Sequence, residues 1–137
     1  MPDFWEPTGP ITLASLVGRT TNYTGSPVPG FRRFRRVKLT LQVTAAAAAA
    51  GDTLDVFVDA DGVPAAHFGQ ILGNGGAKTR VAFLEPGLAA ATDFDVTADP
   101  AAGVVRPYVW GDALKVRATI AGAGPSFTFA VTAEGQA

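Results

Sequence analysis

A chain of 137 residues, 47% hydrophobic, 17% charged, with net charge −1 and no cysteine, has the size of one domain and enough apolar surface for a core. The missing cysteines exclude a disulfide framework, a thiolate metal site and a cysteine nucleophile. The hydrophobic content argues against disorder, and no run of eighteen apolar residues exists to cross a bilayer as a helix.

Residues 1–30 read as an extended N-terminal arm. Pro2, Pro7, Pro10, Pro27 and Pro29 interrupt any regular ladder, and Phe4, Trp5 and Tyr23 are spaced along it. A short strand from Ile11 to Leu16 fits inside. The start, Met1-Pro2-Asp3-Phe4-Trp5-Glu6, lacks the basic and apolar stretches of a signal peptide. A polar tail has no need of a tryptophan, whereas an arm that docks buries a large area with each aromatic. Two dockings stay open: over its own body, or onto a neighbouring subunit.

Residues 31–137 read as one β-sandwich domain. From Arg33 to Thr44, Val37, Leu39, Leu41 and Val43 alternate with Arg36, Lys38, Thr40 and Gln42, the period of a half-buried strand. The run Ala45–Ala50 is too short to hold a helix alone and reads as a hairpin loop. Leu54, Val56 and Val58 repeat the alternation, with Asp55, Phe57 and Asp59 opposite. Val81 and Phe83 then supply an apolar face between Arg80 and Ala82. Phe94 and Val96 do the same, as do Leu114 to Ile120 and Phe127 to Val131. Asn74-Gly75 and Gly122-Ala123-Gly124-Pro125 read as hairpin turns. Ala66–Leu72 and Val104–Trp110 are weaker strands, and Pro107 inside the second marks a sheet edge. About eight strands without a convincing helix indicate an all-β, antiparallel sandwich of jelly-roll type, with an immunoglobulin-like sandwich next.

No constellation for chemistry stands out. His67, the only histidine, sits in apolar Ala-His-Phe-Gly and reads as a packed residue. Gly73-Asn74-Gly75-Gly76-Ala77-Lys78-Thr79 departs from a phosphate loop in its glycine spacing and leads into a strand instead of a helix. Asp59-Ala60-Asp61-Gly62 lacks the remaining acidic ligands of a calcium loop and reads as a turn. Asp93, Asp95 and Asp99 raise the same question of a metal, and Asp93 and Asp95, on one strand face, read as the solvent side of a strand. The expectation is a chain without catalytic residues, cofactor or metal.

Charge is uneven. Residues 1–40 hold six basic and two acidic groups, whereas 41–137 hold five and ten. The basic run Phe31-Arg32-Arg33-Phe34-Arg35-Arg36 is the one charged cluster. Arginine forks bind carboxylates bidentately, so a subunit or partner contact is preferred. A solvated strand start and nucleic acid are the alternatives. With Phe4, Trp5 and Tyr23, these six residues form the expected partner-binding set; no nucleic acid or membrane is expected as a partner.

Three segments carry a resemblance: Gly51-Asp52-Thr53-Leu54-Asp55-Val56-Phe57-Val58, Ala66-His67-Phe68-Gly69-Gln70-Ile71-Leu72-Gly73-Asn74-Gly75-Gly76-Ala77-Lys78 and Gly124-Pro125-Ser126-Phe127-Thr128-Phe129-Ala130-Val131-Thr132-Ala133. Together they resemble a group of short virion structural proteins of tailed bacteriophages and prophages, over nearly all of the strand-rich body. The resemblance implies a head decoration (cement) protein, a homo-oligomer and typically a trimer, made in the host cytoplasm and seated on the major capsid protein lattice. A neck, tail-tube or tail-terminator subunit is the alternative within virions. A small carbohydrate-binding sandwich using Trp110, Tyr108 and Phe57 is the alternative outside them.

Overall fold

The computed structural model describes residues 9–46, 49–85, 97–106 and 112–136. Period-two alternation is realised as nine strands: β1 (Ile11–Arg19), β2 (Tyr23–Thr24), β3 (Arg36–Ala46), β4 (Thr53–Ala60), β5 (Val63–His67), β6 (Ile71–Leu72), β7 (Lys78–Leu84), β8 (Leu114–Ala121) and β9 (Phe127–Gln136). They form two antiparallel sheets packed face to face. One runs β1-β9-β3-β7; the other runs β2-β8-β4, with β5 and β6 side by side along the far edge of β4. Residues 103–106 extend the second sheet beyond β5, through the Ala66–Val105 bridge and bonds from His67 N to Val104 O and from Arg106 N to Ala65 O. Val104–Arg106 is thus an edge segment; Pro107 to Trp110 lie outside the described residues, as do Phe94 and Val96.

The core is the set of inward positions that the alternation marks. Phe127, Phe129, Leu39, Leu41, Leu54 and Leu114 are fully buried between the sheets. Each such side chain contributes about 1.5–3 kcal/mol.

The pairing is nested: β1 with β9, β2 with β8, β3 with β7 and β4 with β5, all antiparallel. Only the innermost pair is joined by a tight hairpin. Asp61 (φ 47°) and Gly62 (φ 82°) are its two turn residues, the positive-φ pair of a type I′ turn. The three hairpins expected at 45–51, at Asn74-Gly75 and at Gly122–Pro125 are instead arches from one sheet to the other. β3, β7 and β9 belong to the first sheet, whereas β4, β6 and β8 belong to the second. Turn residues reverse a chain, but the partner of each strand is fixed by distant residues.

Two further expectations are corrected. Residues 11–30 are not an arm: β1 pairs with β9 along its length, β2 pairs with β8, and Val28 bridges to Leu114. Arg19 fastens this stretch, donating to Phe129 O at 2.9 Å and lying over the rings of Tyr23 and Phe129 at 4.3 and 4.5 Å. The described part of 1–30 is therefore body, with no boundary at 30/31. The second correction concerns β7. Its inner positions are Lys78, Arg80, Ala82 and Leu84, opposite Val43, Leu41, Leu39 and Val37, and Val81 and Phe83 face outward. β7 is an edge strand, so an inward arginine can reach the rim of the sandwich, and Arg36 covers Phe83 outside at 4.4 Å.

Asp61 also holds the end of the second sheet together. Its carboxylate accepts from Asp112 N at 3.1 Å and Ala113 N at 2.9 Å. The bond from Ala113, then that from Asp112, holds its pKa below the ordinary 3.8. A depressed carboxylate stabilises the fold above its unfolded pKa, and that contribution is lost as pH falls through the folded value. Asp61→Asn keeps the turn, since asparagine suits positive φ. Its midpoint in urea is expected to depend less steeply on pH than the wild type's below pH 3.8. Parallel profiles for the two proteins would refute this role.

Candidate functional site

The basic run is built on a β-turn. Phe34 N donates to Phe31 O at 3.1 Å, which places Arg32 and Arg33 at the turn's corner. Phe31 is fully buried, and Phe34 is half-buried with its ring directly against Gly135 of β9, in space that a Cβ there would fill. The two rings meet at 5.9 Å. Phe31 N also donates to Asp112 O, and Arg35 N to Gln136 O. The two phenylalanines thus anchor the turn to the body, and Arg32, Arg33, Arg35 and Arg36 are exposed. Arg33 lies over the Phe34 ring at 4.7 Å, and Arg36 pairs with Glu85 at 2.6 Å. Beside the turn, Arg36, Lys38, Phe83, Glu134 and Gln136 line a shallow groove of about 240 Å³ on the outer face of the first sheet.

The expected partner-binding set therefore divides. The four arginines stand together at one end of the sandwich. Phe31 is a core residue and offers no surface to a partner, which corrects its expected role. Tyr23 is half-buried beneath Arg19 and serves the body. Phe4 and Trp5 lie outside the described residues.

A second cluster covers the outer face of the other sheet. Arg117, Phe57 and His67 are opposite one another on β8, β4 and β5. Their side chains stack in a row, with the guanidinium 4.9 Å from the Phe57 ring and the imidazole 4.3 Å from it on the other side. Carboxylates flank the row. Asp59, which is buried, takes Arg117 Nε at 2.7 Å and Nη2 at 2.8 Å, and Asp99 takes Nη2 at 2.6 Å. The bond to Asp59 raises the Arg117 pKa against the opposing effect of burial, with Asp99 adding to the rise. Asp55 meets His67 Nε2 at 3.0 Å, and Pro100 O lies 3.2 Å from Nδ1. Both ring nitrogens are engaged, so this Asp–His pair has no nitrogen to offer a substrate. What the cluster does is tie residues 97–106 across the sheet. Phe57, with only 7% of its surface exposed, is unavailable to a sugar; Tyr108 and Trp110 lie outside the described residues.

The sequence reading missed three residues. Asp59 reads as a turn or solvent-side acid, yet it is the buried partner of Arg117. Asp52, also buried, accepts from Ala49 N and Ala123 N at 3.0 Å each and joins two arches. Arg80 points inward. The Asp-Gly pair at 61–62 was the available signal for the hairpin; the contact of Asp52 with Ala123 and that of Arg80 with Phe68 have no local signal, because those partners are remote in sequence. Among the described residues, no three His, Asp or Glu side chains are grouped to hold a metal ion. Comparison with protein-family models, with curated proteins and with solved structures returns no match.

Proposed function

We propose that this chain is a structural component of a tailed-phage virion, a decoration protein that binds the major capsid protein lattice as a homotrimer and stabilises it. The observation that carries the reading is the anchored arginine turn. Arg32 and Arg33 are displayed at its corner at one end of the sandwich, Arg35 and the Glu85-paired Arg36 follow directly, and the turn's aromatic residues are packed into the body. A rigid display of guanidinium forks suits an acidic, carboxylate-bearing surface, and little entropy is lost when such a surface docks. The nested strand pairing supports the jelly-roll assignment, an architecture common in viral shells. In this reading the protein works by attachment and carries out no chemistry.

The test is co-sedimentation of the purified chain with expanded shells of its phage's major capsid protein, beside free capsid subunits. Binding to shells alone is expected, with a trimer mass on the bound and free protein. The Arg32→Glu/Arg33→Glu variant changes only exposed residues, whose substitution costs within about 0.5 kcal/mol. It should remain folded and lose at least tenfold in shell affinity. Wild-type protein that ignores shells, or a variant that binds them as well as wild type, would overturn the reading.

A further inference from the structure

We propose that the open edge of the sandwich, between β7 and the β5 side of the second sheet, is a binding cleft for a small monocarboxylate with an apolar body, and that Arg80 anchors the carboxylate. The inference is independent of the virion reading.

The cleft has a volume of about 500 Å³, within the range of small-molecule sites. Phe68, Ala82 and Val105 give it apolar walls, and Val81 and Phe83 border it along β7. Arg80 is the cation of its lining and comes from the inner face of an edge strand. Its Nη1 donates to Phe68 O at 3.0 Å. A guanidinium has five N–H donors, and this is the one side-chain hydrogen bond of Arg80 among the described residues. No carboxylate pairs with it there, in contrast to Arg117, which has two. A half-buried cation without a counter-charge among the described residues is an unusual use of arginine, and a carboxylate is the anion its fork fits.

The backbone is shaped to the guanidinium. Gly69 has φ +90°, and a Cβ there would lie 2.6 Å from Arg80 Nη1. The missing side chain lets the guanidinium lie close against the main chain at the cleft floor. The ligand class follows from these two features. A bare anion leaves the apolar walls wet, and a neutral apolar molecule leaves the guanidinium without a partner.

The experiment is a titration of the full chain with 3-phenylpropionate, followed by amide and arginine Nε–H NMR shifts, with 3-phenylpropanamide and acetate as comparators. Saturable shifts at Gly69, Gly103 and Arg80 are expected, with a Kd of about 1 mM. The amide and acetate should each bind at least tenfold more weakly. Arg80→Gln should lose at least tenfold in affinity. Ala82→Phe fills the cleft and leaves the Arg80–Phe68 bond intact, so it should abolish binding even if the Arg80 variant fails to fold. No saturable shift at about 10 mM, equal binding of acid and amide, or unaltered binding to Ala82→Phe would each overturn the proposal.

Discussion

Replacing Gly122 with alanine is expected to destabilise the fold by about 3–5 kcal/mol, an effect rarely seen at a loop residue. Gly122 has φ +129°, a conformation that strains any L side chain, and an added Cβ would collide with the Asp52 carboxylate and approach its Cα to 2.8 Å. Asp52 cannot move aside freely. Its two oxygens hold Ala49 N and Ala123 N, its own N–H bonds Ala49 O, and its carbonyl accepts from Gly73 N. The carboxylate thus ties together the arches between β3 and β4 and between β8 and β9, and the backbone of the same residue holds the arch between β6 and β7. Asp52→Ala alone should cost about 2–3 kcal/mol, because the charge-assisted bonds of a buried carboxylate are lost. The two effects share one contact and should not add. In an Asp52→Ala background, Gly122→Ala should cost less than in the wild type, because the collision with the carboxylate is gone and only the backbone strain and the contact with the Cα at position 52 remain. Urea unfolding of the four proteins in the cycle measures this, and strict additivity would show that Gly122 and Asp52 do not act on each other.

The same arches show how far the sequence could be read. β3, β4, β8 and β9 carry their alternation openly, so the all-β class and the sandwich follow from Val37 to Val43, Leu54 to Val58, Leu114 to Ile120 and Phe127 to Val131. Partnership does not follow. Asn74-Gly75 and Gly122–Pro125 have the composition of hairpin turns, yet they carry the chain across the sandwich, because β7 finds its partner in β3 and β9 finds its partners in β1 and β3. Local chemistry sets the reversal; the hydrophobic faces of distant strands set where the chain goes next. β7 shows the same limit on one strand. Val81 and Phe83 look like an inner face by hydropathy. At a sheet edge, however, Arg80 can run inward to Phe68 O while Arg36 shields Phe83 outside.

The candidate sites were legible to different degrees. The arginine run is contiguous, so composition alone located it. Its three-residue spacing of phenylalanines signals anchoring only once the Phe31–Phe34 turn is seen to bury them. The Arg117 row could not be read from sequence, since it assembles residues from β4, β5, β8 and the 97–106 segment. Asp55, Phe57 and Asp59 have the alternation of a solvent-facing side. They become a covered layer because a later segment of chain crosses over them.

That layer gives the second large expectation. Asp59→Ala should destabilise the protein by about 3 kcal/mol, at the lower end for a broken buried ion pair because Arg117 keeps Asp99 and some contact with water. The loss is not the worth of one salt bridge. It is the cost of leaving Arg117 against the Phe57 ring without its bidentate partner, and beside Lys115, whose ammonium also faces Asp59 at 3.9 Å. Removing both charges should therefore cost less than removing one. Asp59→Leu/Arg117→Leu replaces the pair with apolar groups over an apolar ring and should stay within about 1 kcal/mol of wild type. The single variant should also loosen the tether of residues 97–106, seen as faster hydrogen exchange at Gly103 N–H and His67 N–H, which bond across that segment. If the double variant is as unstable as Asp59→Ala, the stabilisation comes from the ion pair itself. If it is not, the pair is there to fix where the covering segment crosses the sheet, which packing against Phe57 alone does not specify.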